Sequence, residues 1–320
     1  MKDSQKKPQK KTNIPFSQYL AKINLSITAG IFFAVLATLF SFDLYFRYWI
    51  FQNNLLPSPV EKISLSAYPK LASQLNPDIT AAAAVAIDDG SKAILFNKNA
   101  NLRFTMASTT KIMTALVGLD YFKPDDVLTT YADNVSPVVV GFPLGEKVYF
   151  KDVLYAMLLP SGNDAALEIA QNYPGGEKAF VEKMNEKAKS FNLKNTHFED
   201  STGFSDDNYS TPLEMARMTS EALKNKTIAQ IVATKKKNIT NIYGTNTYKL
   251  SNLDELLGKD GITGVKTGYT EEAGGVLITS RESEGRRFIL VVMKSLDRFT
   301  DIEKILSQIE NNVTFVPRHP

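Results

Sequence analysis

The 320-residue chain predicts an α+β domain carried behind one apolar N-terminal segment, and three observations lead there. Strand-like runs stand near both ends of the region that begins at Ile79, helical periodicity fills the interval between them, and an uncharged run of 20 residues precedes the whole. Strands supplied by both ends imply one antiparallel sheet assembled across the chain, with a mostly helical insert standing against it.

Taken in order, residues 1–22 form a basic tail. Lys2, Lys6, Lys7, Lys10, Lys11 and Lys22 stand against Asp3 alone, a net +5, which leaves −2 for the rest of a chain whose total is +3. A slightly acidic body with its cations gathered in a tail lacks the basic face of a nucleic-acid binder. "INLSITAGIFFAVLATLFSF", residues 23–42, carries no ionisable group and as a helix is about 30 Å long, enough to cross a bilayer core. Tyr45, Tyr48 and Trp49 follow as an interfacial belt, so that residues 23–51 read as a single-pass anchor. The lysine-rich flank puts the N-terminus in the cytoplasm and the body outside. A cleaved signal peptide fits less well, because "ATLFSFDLYF" offers no small-x-small cleavage site, and a buried core helix is the other alternative.

Residues 52–78, with Pro57, Pro59, Pro69 and Pro77 and no sustained period, read as a linker, leaving 79–315 as the catalytic-sized domain. "ITAAAAVAIDDGSKAILFNK" is two apolar runs about an Asp-Gly, a hairpin signal; its first strand is argued from the turn, since its side chains are mostly alanine. From Ala107 to about Leu223, "VLYAMLL", "DAALEIAQ", "AFVEKMNEKAKSF" and "PLEMARMTSEAL" repeat apolar residues at helical spacing, and Pro212 stands where a helix tolerates it. Strand signals return in "GVLITS" and "RRFILVVMKS" around the turn "RESEG". A last helix presents Phe299, Ile302, Ile305, Leu306 and Ile309 on one face.

With no cysteine the chain has neither disulfides, nor a thiolate nucleophile, nor a cysteine metal site. Its two histidines, His197 and His319, are too few for a multi-histidine centre, and histidine is a poor candidate for a general base here.

Three short motifs remain. Ser108-x-x-Lys111 alone says little, since Ser4-x-x-Lys7 in the tail matches it too; but Ser108 opens an apolar helix and Lys111 falls on the same face. Ser161-Gly162-Asn163 sits between two apolar helices, where a plain helix cap is the simpler account. Lys266-Thr267-Gly268 interrupts a strand-like run, and taken singly is an ordinary edge-strand lysine.

Their order, however, matches the S-x-x-K, S-x-N, K-T-G set of penicillin-binding proteins and class A β-lactamases. Longer runs extend the likeness: "ASTTKIMTAL", "LLPSGNDAA", "NTHFEDSTGF", "YSTPLEMARM" and "GVKTGYTEEAGG". Over about residues 79–310 the chain resembles the serine-type D-alanyl-D-alanine carboxypeptidases, low-molecular-mass penicillin-binding proteins with a β-lactamase-like fold. It departs from them at Asn208, where histidine is common, and in ending soon after the last helix, without the C-terminal β domain and terminal membrane helix of many relatives.

Serine needs a base, and Lys111 can be one only if desolvation and a nearby cation, for which Lys266 is placed in sequence, keep it neutral. The resemblance implies the other roles. Ser108 would attack the carbonyl between the last two D-alanines of a peptidoglycan stem pentapeptide, and Ser161 would relay a proton to the leaving amine. Asn163 would hold the substrate amide and Lys111, and Lys266 and Thr267 would bind the terminal carboxylate. The amides of Ser108 and Tyr269 would meet the oxyanion, and Gly268 would allow close backbone approach. No metal or organic cofactor is implied, and β-lactams would be covalent inhibitors. A class A-like β-lactamase, a D,D-endopeptidase and a non-catalytic peptide or β-lactam binder are the competing readings. Glu199 lacks the E-x-x-L-N setting of the β-lactamase glutamate, His197 is expected to serve structure, and "TKKKN", 234–238, to be a solvated edge.

Overall fold

The computed structural model describes residues 16–52, 68–131 and 138–316, which fall into two units, Met1–Ser64 and Leu65–Pro320. The first holds one helix, α1 (Phe16–Gln52), within which Ile27–Trp49 has a mean hydropathy of 2.0 and no buried residue. By length and composition it can cross a membrane, and the expected belt residues belong to the same helix. Its polar groups are satisfied locally: Thr38 and Ser41 donate to the carbonyls of Val35 and Ala37, and Arg47 pairs with Asp43 one turn away at 2.8 Å.

In the second unit the chain runs through β1 (Tyr68–Leu71), β2 (Ala83–Asp88), β3 (Ile94–Lys98) and β4 (Phe104–Thr105). A 3-10 turn at Ala107–Thr110 leads into α2 (Lys111–Tyr121), followed by β5 (Val127–Thr129) and β6 (Lys147–Tyr149). Then come α3 (Phe150–Leu158), α4 (Asn163–Gln171), α5 (Gly176–Ser190), β7 (Tyr209–Ser210), α6 (Pro212–Ala222) and α7 (Lys226–Val232). The chain closes with β8 (Lys236–Thr240), β9 (Thr247–Ser251), β10 (Ile262–Thr270), β11 (Gly274–Ser283), β12 (Arg286–Ser295), α8 (Arg298–Asn312) and β13 (Val313–Val316).

Five strands form the antiparallel sheet β10-β11-β12-β2-β3 expected from the two ends of the domain. The ends meet where β12 pairs with β2, from Phe288 opposite Asp88 to Met293 opposite Ala83. Alternation then divides the core: Ala83, Val85 and Ile87 face α2 to α6, whereas Ala84 and Ala86 face α8 with Ile302, Ile305 and Leu306. Every residue of β2 is buried, which is why it reads as a run of small apolar residues without alternation. Pro212 opens α6 as expected, and the Thr211 hydroxyl caps it by accepting from the Glu214 amide at 3.1 Å.

Two expectations need correction. Of the expected linker 52–78, residues 53–67 lie outside the described residues, but Tyr68–Leu71 is not linker: it pairs with β13, so the domain begins before Ile79. Pro69 masked that strand, and proline is tolerated because the pair is an isolated ribbon and not part of the main sheet. The interval from Ala107 to about Leu223, whose patterns read as helical, also contains the β5–β6 ribbon and the two-residue strand β7. "TKKKN" leads into the exposed strand β8 of a hairpin with β9.

Asp301, fully buried at the start of α8, binds both strands at one end of the sheet's central seam, where β2 begins and β12 ends. Its carboxylate accepts from the Thr80 amide, the Thr80 hydroxyl and the Ala81 amide, each at 2.8 Å, and from the Ser295 hydroxyl at 2.6 Å. Asp301→Ala strands those donors and is expected to cost about 3 kcal/mol, read as a lowered midpoint of thermal unfolding. A midpoint equal to that of the wild type would show the clasp to be dispensable.

Candidate functional site

The three motifs meet at one place. Ser108 lies in the 3-10 turn and not in the helix proper, and Lys111 is the first residue of α2. Lys111 is 0 % exposed, and its Nζ lies 2.9 Å from Ser108 Oγ, 2.7 Å from Asn163 Oδ1 and 2.6 Å from the Thr202 carbonyl oxygen. Ser161 and Asn163 do not cap α4, whose N-cap is Gly162 without a side-chain bond. They face the lysines instead, Asn163 bound to Lys111 and Ser161 Oγ lying 2.9 Å from Lys266 Nζ. Lys266 sits on the edge strand β10 yet is 2 % exposed, so the solvated edge-lysine account fails.

Two non-glycine residues here hold left-handed backbone, Ala107 with φ 47° and Ser161 with φ 68°, strain of the sort that packing must sustain. Packing does so from several sides. A Cβ on Gly268 would stand 3.1 Å from Ala107 Cβ and 3.2 Å from both Met106 O and Ser108 N, so the glycine lets β10 lie against the nucleophile turn. Val138 O accepts the Asn163 amide at 2.7 Å, and the Asp164 carboxylate accepts from Val140 N and Gly141 N, which fastens segment 138–141 over Ser161-Gly162-Asn163. Thr267 is buried, whereas Tyr269 is 66 % exposed.

Burial above all, and then the positive charge of Lys266, hold the Lys111 pKa well below the ordinary lysine value, against the opposing pull of Asp200 and Asp164. Lys266 is lowered to about 7, by burial first and then by Arg298, with Asp254 opposing. Burial and the Lys266 charge thus favour the neutral amine at Lys111. A neutral amine has two N–H groups and one lone pair; Asn163 Oδ1 and Thr202 O can only accept, so the lone pair is left facing the Ser108 hydroxyl.

Arg298 was not anticipated. Its Nη1 donates to the Gly268 carbonyl at 2.9 Å, bringing another cation to the Lys266-Thr267-Gly268 strand. Nothing in "SLDRFT" marks it, because it acts on a backbone carbonyl 30 residues away. His197 bridges Tyr209 through the backbone, and its ring lies 3.4 Å from the exposed Glu199, away from Lys111. A cavity of about 550 Å³ against Ile94 of β3 and Leu213 of α6 contains none of the motif residues, so it is convergent chemistry that marks the site.

A buried amine, a serine, a second hydroxyl and a cationic strand on this fold define a serine-type D,D-peptidase. The sequence profile described as D-alanyl-D-alanine carboxypeptidase matches residues 70–296, and the chain belongs to that family. It is 31 % identical to a D-alanyl-D-alanine endopeptidase of Pseudomonas aeruginosa, over 80 % of this chain and 86 % of that protein. It is 33 % identical to a D-alanyl-D-alanine carboxypeptidase of a Streptomyces species, over 76 % and 91 %. The crystal structure of a Streptomyces DD-transpeptidase superposes with a TM-score of 0.69 at 33 % identity, covering 73 % of this chain and 98 % of that one.

Gly268→Ala tests how tightly β10 must seat. The added methyl displaces the Ser108 turn by a few tenths of an ångström, and acylation by a fluorescent penicillin is expected to slow about tenfold with the thermal midpoint little changed. An unaltered rate would show that this contact does not position Ser108.

Proposed function

We propose that this enzyme removes the terminal D-alanine from peptidoglycan stem pentapeptides through an acyl-enzyme on Ser108. The observation that carries the reading is the Lys111 amine, 2.9 Å from Ser108 Oγ with both of its N–H groups committed elsewhere. Lys111 takes the hydroxyl proton as Oγ attacks the carbonyl between the two D-alanines. The tetrahedral oxyanion rests on the amides of Ser108 and Tyr269. Ser161 passes a proton to the departing amine, D-alanine leaves, and water then opens the ester by the reverse proton path. Lys266 and Thr267 hold the terminal carboxylate, with Arg298 adding positive charge beside them, and Asn163 orients both the substrate amide and Lys111. Because β10 is an edge strand, an extended peptide can pair with its free side.

Cross-linked stems are a second substrate for the same residues, a reading favoured by the likeness to the Pseudomonas aeruginosa endopeptidase. β-Lactams, which present a strained amide to Ser108, acylate it as covalent inhibitors. The apolar stretch Ile27–Trp49 and the lysine-rich tail before it support a single-pass protein of the cell membrane with a cytoplasmic N-terminus and an extracytoplasmic catalytic domain.

Ser108→Ala is expected to abolish both fluorescent-penicillin labelling and D-alanine release from a Lys-D-Ala-D-Ala peptide; labelling that survives would falsify the nucleophile assignment. Lys111→Ala is expected to reduce acylation by at least about a hundredfold near neutral pH while leaving the fold intact, and retained activity would mean another base. Lys266 contributes charge to carboxylate binding while protonated, below about 7, and loses it as pH rises through that value. The peptide KM is accordingly expected to climb on the alkaline side of neutrality. A KM flat between about pH 6 and about pH 9 would remove Lys266 from that role.

A further inference from the structure

Asn208, the position where the chain departs from the related pattern, is 0 % exposed, and both ends of its amide are occupied. Its Oδ1 accepts from the amides of Glu199 at 3.0 Å and Asp200 at 3.3 Å. Its Nδ2 donates to Asp200 Oδ2 at 3.1 Å and to the Ser205 carbonyl at 2.8 Å. Its own carbonyl accepts from Met106 N at 3.1 Å, two residues before Ser108. Asp200 gathers the segment between. One carboxylate oxygen accepts from Thr202 N at 2.7 Å, Thr202 Oγ1 at 3.0 Å and Gly203 N at 2.5 Å, and the other accepts from Ser205 N at 2.6 Å.

The segment so folded touches the site twice. Thr202 presents its carbonyl to Lys111 Nζ at 2.6 Å, and Gly203, with φ +82°, lies so close to the nucleophile turn that a Cβ there would stand 2.0 Å from Ala107 O. A carbonyl that takes one N–H of the amine decides where the lone pair points, and its direction is set by the loop that carries it.

We propose that Asp200 and Asn208 together are positioning residues for Lys111, holding the Thr202 carbonyl where it directs the amine lone pair at Ser108. The proposal rests on the reading of Lys111 as the base. The charged groups facing Lys111 are Lys266 from β10, Asp164 from α4 and Asp200 from this loop. A negative Asp200 favours the protonated lysine, so removing its charge frees the amine at lower pH while loosening the carbonyl that aims it.

The experiment is the pH dependence of acylation by a fluorescent penicillin, measured on the full chain in detergent for the wild type, Asp200→Asn and Asn208→Ala. Asp200→Asn is expected to lower the maximal rate about tenfold and to move the acid limb to lower pH. Asn208→Ala keeps the Asp200 charge and is expected to lower the rate about tenfold with the acid limb unmoved. Labelling stoichiometry at long times and the thermal midpoint count the folded molecules, and if Asp200→Asn does not fold, the rate of Asn208→Ala decides. Wild-type rates in the folded variants, or an Asp200→Asn acid limb that stays in place while only stability falls, would overturn the proposal. Ser108→Ala run alongside separates the two failures, since labelling that survives in it sinks the underlying mechanism and not this pair alone.

Discussion

A primary amine enclosed by protein keeps its proton only at the expense of a buried charge, and the burial of Lys111 beside Lys266 favours giving the proton up. Lys111 begins the helix that fills the middle of the larger core, with Ile112, Met113, Ala115 and Leu116 behind it, so water cannot reach it from the helical side. Lys266 closes the other side from the sheet. The two amines are held in one frame by residues two apart in sequence, Asn163 on the first and Ser161 on the second. Each lysine owes its burial to a different layer of the fold, and the charge of Lys266 makes protonation of Lys111 harder. The chemistry therefore depends on the seam between sheet and helices, and distortion of either layer reaches both groups.

The topology explains why such a seam exists. Pairing β12 with β2 joins the two ends of the domain, which leaves β10 as a free edge on one side of the sheet and the helical insert folded against one face. The turn bearing Ser108 follows β4 and enters the insert, so it must pass the sheet where β10 runs. Gly268 removes the side chain that would keep the two apart. Asp301 stabilises this arrangement from the opposite face by fixing where β2 begins and β12 ends.

Most of this plan was legible in the sequence, because hydrophobic period reports which elements have two covered faces or one, and because Ser108, Lys111, Ser161, Asn163 and Lys266 are side chains whose chemistry is written in their type. What could not be read acts through backbone or through space. The Thr202 carbonyl has no signature, since every residue carries one. Asp200 sits among Ser, Thr and Gly, where an acidic residue reads as a turn former. Arg298 depends on a contact 30 positions away, and β1 is four residues long with a proline inside it. Asn208 was visible only as an anomaly, and its meaning lies in partners at positions 199, 200 and 205.

Relatives of this chain carry the names endopeptidase, carboxypeptidase and transpeptidase, and the differences among those activities bear on which parts of the site are free to vary. All three begin by breaking a bond to D-alanine and can share one acyl-enzyme; they part in what is released and in what then attacks the ester. On the proposed mechanism the buried groups serve the shared half-reaction, which leaves them little latitude, because an amine misdirected by an ångström no longer meets its hydroxyl. On the same reading, selection between water and a second amine, or between free and cross-linked stems, would fall to groups that meet solvent. Around this site those are the side chains of Tyr269, Phe204, Val138 and Val139, all exposed and all attached directly to segments that hold the buried groups in place. Exposed apolar side chains can change without uncovering a buried charge, so the rim can be altered for a different acceptor while the amine, the serine and their supports stay fixed.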